Sequence, residues 1–392
     1  MNDLRPTSLA RRMQDIAPFQ VMEVQRRAFE LEARGRHIVH MEIGQPDFSA
    51  PPQVVEAGVA ALRETGLGYT DALGLPALRE RIAAFYATQY RVALNPDRIM
   101  VTAGASGAFL IAMGALVDPG DEVLMADPCY PCTRHFVRMF DGRPITLPVT
   151  ADHFYQPRAE DIAQAWQPQT RGVALASPSN PTGTSIPTSE LARIAEVVSA
   201  RGGFLLVDEI YQGLVYGHAP STALSMSESC LVINSFSKYF CMTGWRLGWL
   251  VAPEEQIREM ERLAQNAYIC ASAPAQHAAL AAFESGTLDV LEERRAAFQR
   301  RRDFLVPALR ELGFSIPVIP DGAFYVYAGC ERFTSDSRQF AMRLLDEAGV
   351  AITPGCDFGV HRASQHVRFA YTRSVEELEE GMERLARFVS SQ

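Results

Sequence analysis

Lysine is all but missing from this chain. Lysine and arginine together number 37 in 392 residues, and reading position by position finds one lysine, Lys238. Also missing is any apolar run of membrane-spanning length. The N-terminal segment carries Arg5, Arg11 and Arg12 but no apolar core of the kind a secretory leader needs. A basic excess is absent too: a net charge of -9 and a pI of about 5.5 leave no broad cationic footprint for nucleic acid. The expectation is a soluble, cytoplasmic protein with neither nucleic acid nor membrane as partner.

Metal-binding and disulfide patterns are equally thin. Seven cysteines, an odd count scattered over the chain, predict reduced thiols rather than a disulfide framework. Cys129 and Cys132 form a CxxC pair, but no second pair stands at ligand spacing, and packing thiols are the simpler reading. The eight histidines show no HExxH or other metal spacing, so no metal is expected. No internal repeat or low-complexity tract is visible.

What the chain does have is enough apolar material, 47% of 392 residues, for two domains. Residues 18–34 carry a helical apolar pattern ending at Gly35, followed by a short strand over 38–43 and the turn Gly44-Gln45-Pro46-Asp47. A helix near 52–65 precedes the glycine-bracketed Gly66-Leu67-Gly68-Tyr69, a loop that presents Tyr69.

From residue 99 a unit repeats in kind: short apolar strand, polar turn, helical stretch. Strands at 99–102, 123–126, 173–176, 204–207 and 231–234 lead into clusters beginning at Ala103, Asp127, Ser177, Asp208 and Ser235. Continuous apolar strands alternating with helices predict a mostly parallel sheet covered on both faces, whose ligands bind beyond the strands' carboxyl ends. The polar clusters should therefore gather on one edge. The strand at 246–251 follows Lys238 too closely for a helical crossover and should run antiparallel, which brings Arg246 to the same edge. Beyond Pro253 long helices take over. Strands follow at 314–318, 324–327, around Ala351 and at 367–371, with helices at 337–348 and 375–390, which predicts a second, smaller α+β domain.

The chemistry of that edge follows from its residue types. Arginine pairs anions as well as lysine does, but only a primary amine condenses with an aldehyde, so Lys238 reads as a Schiff-base lysine or as a chance survivor. Gly104-Ala105-Ser106 at a helix start, with Ser235, Ser237 and Arg246, would cup a phosphate. A reactive amine beside a phosphate cup suits pyridoxal 5'-phosphate. Asp208 would keep its ring nitrogen protonated, or merely cap a helix. Asn180 and Tyr211 could donate to its phenolic oxygen, and Tyr130 could stack on its ring.

The strings Ser177-Pro178-Ser179-Asn180-Pro181-Thr182-Gly183, Asp208-Glu209-Ile210-Tyr211, Ser235-Phe236-Ser237-Lys238, Thr243-Gly244-Trp245-Arg246-Leu247-Gly248 and Val367-Arg368-Phe369 resemble, in order, the class I/II aminotransferases of fold type I, the aspartate-aminotransferase-like enzymes. The resemblance implies an α/β fold with a seven-stranded, mostly parallel sheet plus a smaller α+β domain. Its divisions would be an arm at 1–45, a cofactor-binding domain at 46–285 and a C-terminal domain at 286–392. It implies that Lys238 holds the cofactor and shuttles a proton, with Asp208 on the ring nitrogen, Asn180 and Tyr211 on the phenolic oxygen and Tyr130 stacking. Ala105, Ser106, Ser235, Ser237 and Arg246 would bind the phosphate. Arg368, with the Gly44 backbone and Asn180, would grip the substrate carboxylate, and Tyr69 would reach the neighbouring subunit of a homodimer. The implied reaction is ping-pong transfer from an L-amino acid to a 2-oxo acid, with 2-oxoglutarate as one partner and aspartate or a neutral or aromatic amino acid as the other. A second arginine for a dicarboxylate could come from Arg134, Arg138 or the partner. A carbon–sulfur β-lyase on the same scaffold would instead release pyruvate and ammonia from cystathionine without any oxo acid. A regulatory module would need a DNA-binding domain, for which the roughly forty residues before Ile43 are too few.

Overall fold

The computed structural model describes residues 9–64 and 66–391, so the first eight residues of the expected arm lie outside the described residues. The strands are β1 (Val39–His40), β2 (Ile99–Thr102), β3 (Glu122–Asp127), β4 (Arg143–Pro148), β5 (Thr170–Ala176), β6 (Phe204–Asp208), β7 (Leu231–Ser235), β8 (Gly248–Val251), β9 (Tyr325–Gly329), β10 (Val350–Ala351), β11 (Thr353–Pro354) and β12 (His366–Ala370). Helices that bear on the site are α1 (Gln20–Glu32), α2 (Pro52–Glu64), α3 (Pro76–Gln89), α4 (Gly104–Leu116) and α5 (Pro131–Met139).

Seven strands form one sheet in the order β2-β8-β7-β6-β5-β3-β4. Neighbours from β7 through β4 pair parallel, while β8 runs antiparallel to both β7 and β2, as its short connection requires. Alternate side chains feed two apolar clusters. Val101, Val207, Val232 and Trp249 belong to one, and Met100, Leu206, Ile233 and Leu250 to the other. That period of two, with both sets buried, is why these strands read as continuous apolar runs. β4 escaped sequence reading because Pro144 and Pro148 interrupt it, and it lies at the sheet's rim, where a missing N–H is tolerated.

C-terminal to this sheet, β11, β12 and β9 form an antiparallel sheet that sets Arg368 opposite both Tyr327 and Thr353. β1 pairs parallel with β10 and so ties the N-terminal segment to the C-terminal part. The helix Val375–Ser390 starts on a capping box, Ser374 and Glu377 exchanging side-chain and backbone hydrogen bonds.

Several expectations need correction. No strand forms over 314–318; only Ser315 bridges to Gly329, since Pro317 and Pro320 bring no N–H to a ladder. The strand expected at 38–43 shrinks to Val39–His40. The helix expected at 337–348 is α-helical over Ser337–Arg343 and continues as a π turn, Leu344–Ala348, to Gly349 at φ +69. Arg246 and Leu247 precede β8 rather than beginning it.

Candidate active site

The carboxyl ends of β2, β5, β6 and β7 open onto a cavity of about 220 Å³. It is lined by Gly44, Ala105, Ser106, Tyr130, Asn180, Asp208, Tyr211, Ser235, Ser237, Lys238, Arg246 and Arg368, every expected site residue except Tyr69. Tyr69 stands 82% exposed, away from the cavity of its own chain.

Lys238 follows β7 by three residues, and its Nζ donates to Gly44 O at 2.5 Å. Burial pulls the amine down to about 8, helped by the Arg368 and Arg246 guanidiniums and opposed by the Asp208 carboxylate. That raises the neutral fraction near physiological pH far above an exposed lysine's, which is what a nucleophilic amine needs. Gly44 leaves this space open: a Cβ there would fall 1.8 Å from the Tyr325 hydroxyl.

Asp208 ends β6 and accepts from Ile210 N–H at 3.1 Å. Burial pushes its carboxyl up to about 7, against that hydrogen bond and the attraction of Lys238. A cation placed beside it would relieve the burial penalty.

Arg246 adopts the left-handed region, φ 53 and ψ 54, which costs a non-glycine residue energy. Its guanidinium lies at the start of α4, where a Cβ on Gly104, itself at φ +71, would stand 2.8 Å from Nη2. Arg246 Nη1 reaches Ser237 Oγ at 3.5 Å and Thr243 O at 3.0 Å, and the Ser235 and Ser237 hydroxyls stand 3.0 Å apart. Ala103, the residue before α4, makes no side-chain cap. A guanidinium at the positive end of an uncapped helix is an arrangement that an anion completes.

Arg368, buried on β12, donates from Nη1 to Asn180 Oδ1 at 2.8 Å and from Nη2 to Thr353 Oγ1 at 3.1 Å and to Glu42 O. It packs over Tyr325 and Phe358, 4.2 and 4.8 Å from their ring centres. Its Nε is buried without a partner. With Asn180 Oδ1 taken by Arg368, the amide nitrogen of Asn180 is left as a donor. Tyr211 and Tyr325 share a hydrogen bond at 2.8 Å, and burial raises the Tyr211 phenol well above its ordinary range.

Sequence reading missed Tyr325, which touches Gly44, Tyr211 and Arg368; its Phe-Tyr-Val-Tyr strand looks like ordinary core. It also missed Phe19, Val21 and Met22 at the start of α1, which line the cavity from far upstream. All seven cysteines are unpaired. Burial holds the Cys129 thiol up at about 12, so it resists forming a reactive thiolate.

Residues 36–385 match the family Aminotransferase class I and II. The chain is 41% identical to the valine–pyruvate aminotransferase of Mycobacterium tuberculosis over 96% of its own length and 97% of that protein's. It superposes on a crystal structure of an aminotransferase from Mycobacterium tuberculosis with TM-score 0.95 and 40% identity, covering 99% of this chain and 100% of that one. Against aspartate aminotransferase of Thermus thermophilus with maleate, TM-score is 0.92 and identity 33%, over 97% and 100% of the two chains.

Proposed function

The chain belongs to the class I and II aminotransferases, and we propose from that premise that it binds pyridoxal 5'-phosphate and exchanges amino groups between an L-amino acid and a 2-oxo acid. One observation carries the reading: the only lysine opens into the same cavity as a buried aspartate and an uncapped helix start with an arginine against it. When bound, the cofactor supplies an aldehyde that condenses with primary amines and a ring that takes up electrons from the substrate Cα.

The residues present fit that group. Ala105 and Ser106 amides, the Ser235 and Ser237 hydroxyls and Arg246 would hold its phosphate, Asp208 its ring nitrogen, Asn180 and Tyr211 its phenolic oxygen, and Tyr130 its ring face. Lys238 Nζ takes the proton from the substrate Cα and returns it in the reverse direction. Arg368 orients the substrate by its carboxylate beside Gly44. The arm at 1–45, the cofactor-binding unit at 46–285 and the C-terminal unit at 286–392 belong to the same reading, supported by the seven-stranded sheet lying wholly in the second and the three-stranded sheet in the third. So does a homodimer in which the exposed Tyr69 serves the neighbouring site, which sedimentation tests. The cytoplasm is the proposed compartment; among the described residues no helix is long and apolar enough to cross a membrane.

A panel of amino acids added singly to the holoenzyme, each followed spectrally for conversion of bound cofactor to its amine form and recovery with a 2-oxo acid, tests the reaction. No conversion with any of them would overturn it. The finer choice of 2-oxoglutarate as one partner, with aspartate or a neutral or aromatic amino acid as the other, turns on whether a second cation faces the substrate side chain. 2-Oxoglutarate and aspartate both need one for their second carboxylate, and without one a neutral or aromatic amino acid pairs with a monocarboxylic 2-oxo acid. The relative named for valine–pyruvate transfer supports a neutral amino acid with a monocarboxylic oxo acid, and the one named for aspartate supports the dicarboxylic alternative.

Asp208→Asn should separate activity from stability. Turnover falls about 10²-fold or more, because a neutral amide cannot hold a ring proton electrostatically. The cofactor-free variant, by contrast, should melt higher than the parent above pH 7. The sign follows from the raised pKa: between 3.8 and about 7 the folded protein binds the extra proton, so stability falls as pH rises through that window. Above it the parent carries the full cost of a buried charge, which asparagine never incurs. Melting curves at pH 5 and pH 8.5 read this out, and a variant no more stable at pH 8.5 would contradict it.

A further inference from the structure

The first turn of α1 lines the active-site cavity but lacks a cap of its own. Phe19, at the N-cap position, accepts no side-chain hydrogen bond from the turn, leaving its first amides to find acceptors elsewhere. They find one far along the chain. Asp357 Oδ1 accepts from Gln20 N–H at 2.9 Å and Oδ2 from Val21 N–H at 3.2 Å. Asp357 is 4% exposed, and burial raises its pKa against the two amides, the positive end of the helix and the Arg368 and Arg134 guanidiniums, all of which favour the charged form. Its own backbone is fixed in turn: Arg134 donates to Asp357 O and to Phe358 O, each at 2.9 Å.

What this cap positions is apolar. Phe19, Val21 and Met22 reach the cavity lining, where Phe109, Phe136 and Ile210 join them, and Phe19 meets the Tyr130 ring edge-on at 6.1 Å. The cations in that lining are Lys238, Arg246 and Arg368, and each already has a task. The two arginines of α5 turn elsewhere, Arg134 to the carbonyls just named and Arg138 to Asp15 O. Among the described lining residues of the subunit itself, no cation is left for a second carboxylate, so a dicarboxylate would have to draw one from the partner subunit, and a carboxylate desolvated against phenyl and alkyl groups without one is strongly disfavoured.

We propose that Asp357 is a positioning residue that fastens the first turn of α1 against the substrate cavity, and that the apolar wall so placed selects amino acids with large neutral side chains over dicarboxylic ones. This rests on the aminotransferase reading above and names its substrate class. Arg134, by holding the carbonyls at 357 and 358, belongs to the support of the wall rather than to a substrate carboxylate.

The test uses holoenzyme and two unreactive analogues, 3-phenylpropionate and succinate, with alanine as a substrate too small to need the wall. In the parent, 3-phenylpropionate should bind at least about tenfold more tightly than succinate. Asp357→Ala should weaken 3-phenylpropionate about tenfold, and at least about fivefold more than it slows the alanine half-reaction. Asp357→Asn, whose amide oxygen still accepts one N–H, should fall between. Phe19→Ala removes wall while leaving the cap, and should lower 3-phenylpropionate affinity in the same disproportionate way even if Asp357→Ala does not fold. Succinate binding as tightly as 3-phenylpropionate overturns the substrate class. Equal losses for analogue and alanine reduce Asp357 to a fold-stabilising residue and overturn its positioning role. Failure of every amino acid, alanine included, to convert the parent's cofactor is a different result: it removes the aminotransferase reading, whereas the analogue comparison still reports on the wall.

Discussion

Lys238→Ala is expected to abolish transamination, lowering turnover by roughly 10⁴-fold or more, since it removes both the amine that carries the cofactor and the base that moves the Cα proton. Lys238→Arg should be nearly as inactive. A guanidinium restores the charge and can still donate to Gly44 O, yet it stays protonated and cannot condense with an aldehyde. The comparison separates charge from chemistry. Among the described residues the amine has been made reactive by its surroundings: burial and two guanidiniums hold it at about 8. Because it is the chain's only lysine, the check is unusually clean. Borohydride reduction of the holoenzyme followed by peptide mass spectrometry should label one side chain, at 238, and in either variant only the N-terminal amine remains as a carrier. Stoichiometric labelling of Lys238→Ala would remove Lys238 from its assigned role.

How far the site could be read in advance depended on whether its residues travel together in the chain. Lys238, Ser235, Ser237 and Arg246 fall within twelve positions, and strand ends place Asn180, Asp208 and Ala105 on one edge by topology alone, so composition and period sufficed to gather these residues, whereas Arg368 and Gly44 came into view only through the family resemblance. The antiparallel turn of β8 was legible for the same local reason: too few residues separate it from β7 to cross over. Tyr325 was not legible, because a tyrosine in an aromatic strand has a sufficient explanation in packing. Its use emerges only where its hydroxyl meets Tyr211 and its ring meets Arg368. Nor was the Asp357 cap, a hydrogen bond spanning 337 positions between a helix start and a turn that carry no shared motif. β4 was hidden by its prolines, and the strand expected at 314–318 failed because Pro317 breaks the ladder that its apolar pattern advertised.

Arg368→Lys should weaken every amino acid alike, raising KM by about 10-fold to 10²-fold, and Arg368→Ala should lower kcat/KM by about 10² to 10³. The geometry explains why the milder change is not mild. The guanidinium is locked before substrate arrives, held by Asn180 Oδ1, Thr353 Oγ1 and Glu42 O and flanked by the Tyr325 and Phe358 rings. Its planar fork thus meets a carboxylate with little further loss of freedom, and the unpartnered Nε gives it unused donor capacity. An ammonium on a flexible stem keeps the charge but not the plane, so it cannot satisfy Asn180 and Thr353 while making two parallel hydrogen bonds. The α-carboxylate is common to all amino acids, so the loss should be the same for alanine as for phenylalanine. That uniformity distinguishes Arg368 from Asp357, whose replacement should spare alanine relative to 3-phenylpropionate. Steady-state kinetics with both amino acids, alongside melting curves to confirm folding, read the difference directly. Unchanged KM values in Arg368→Lys would show that the substrate carboxylate is gripped elsewhere, and a loss confined to phenylalanine would move Arg368 from the carboxylate to the side-chain wall.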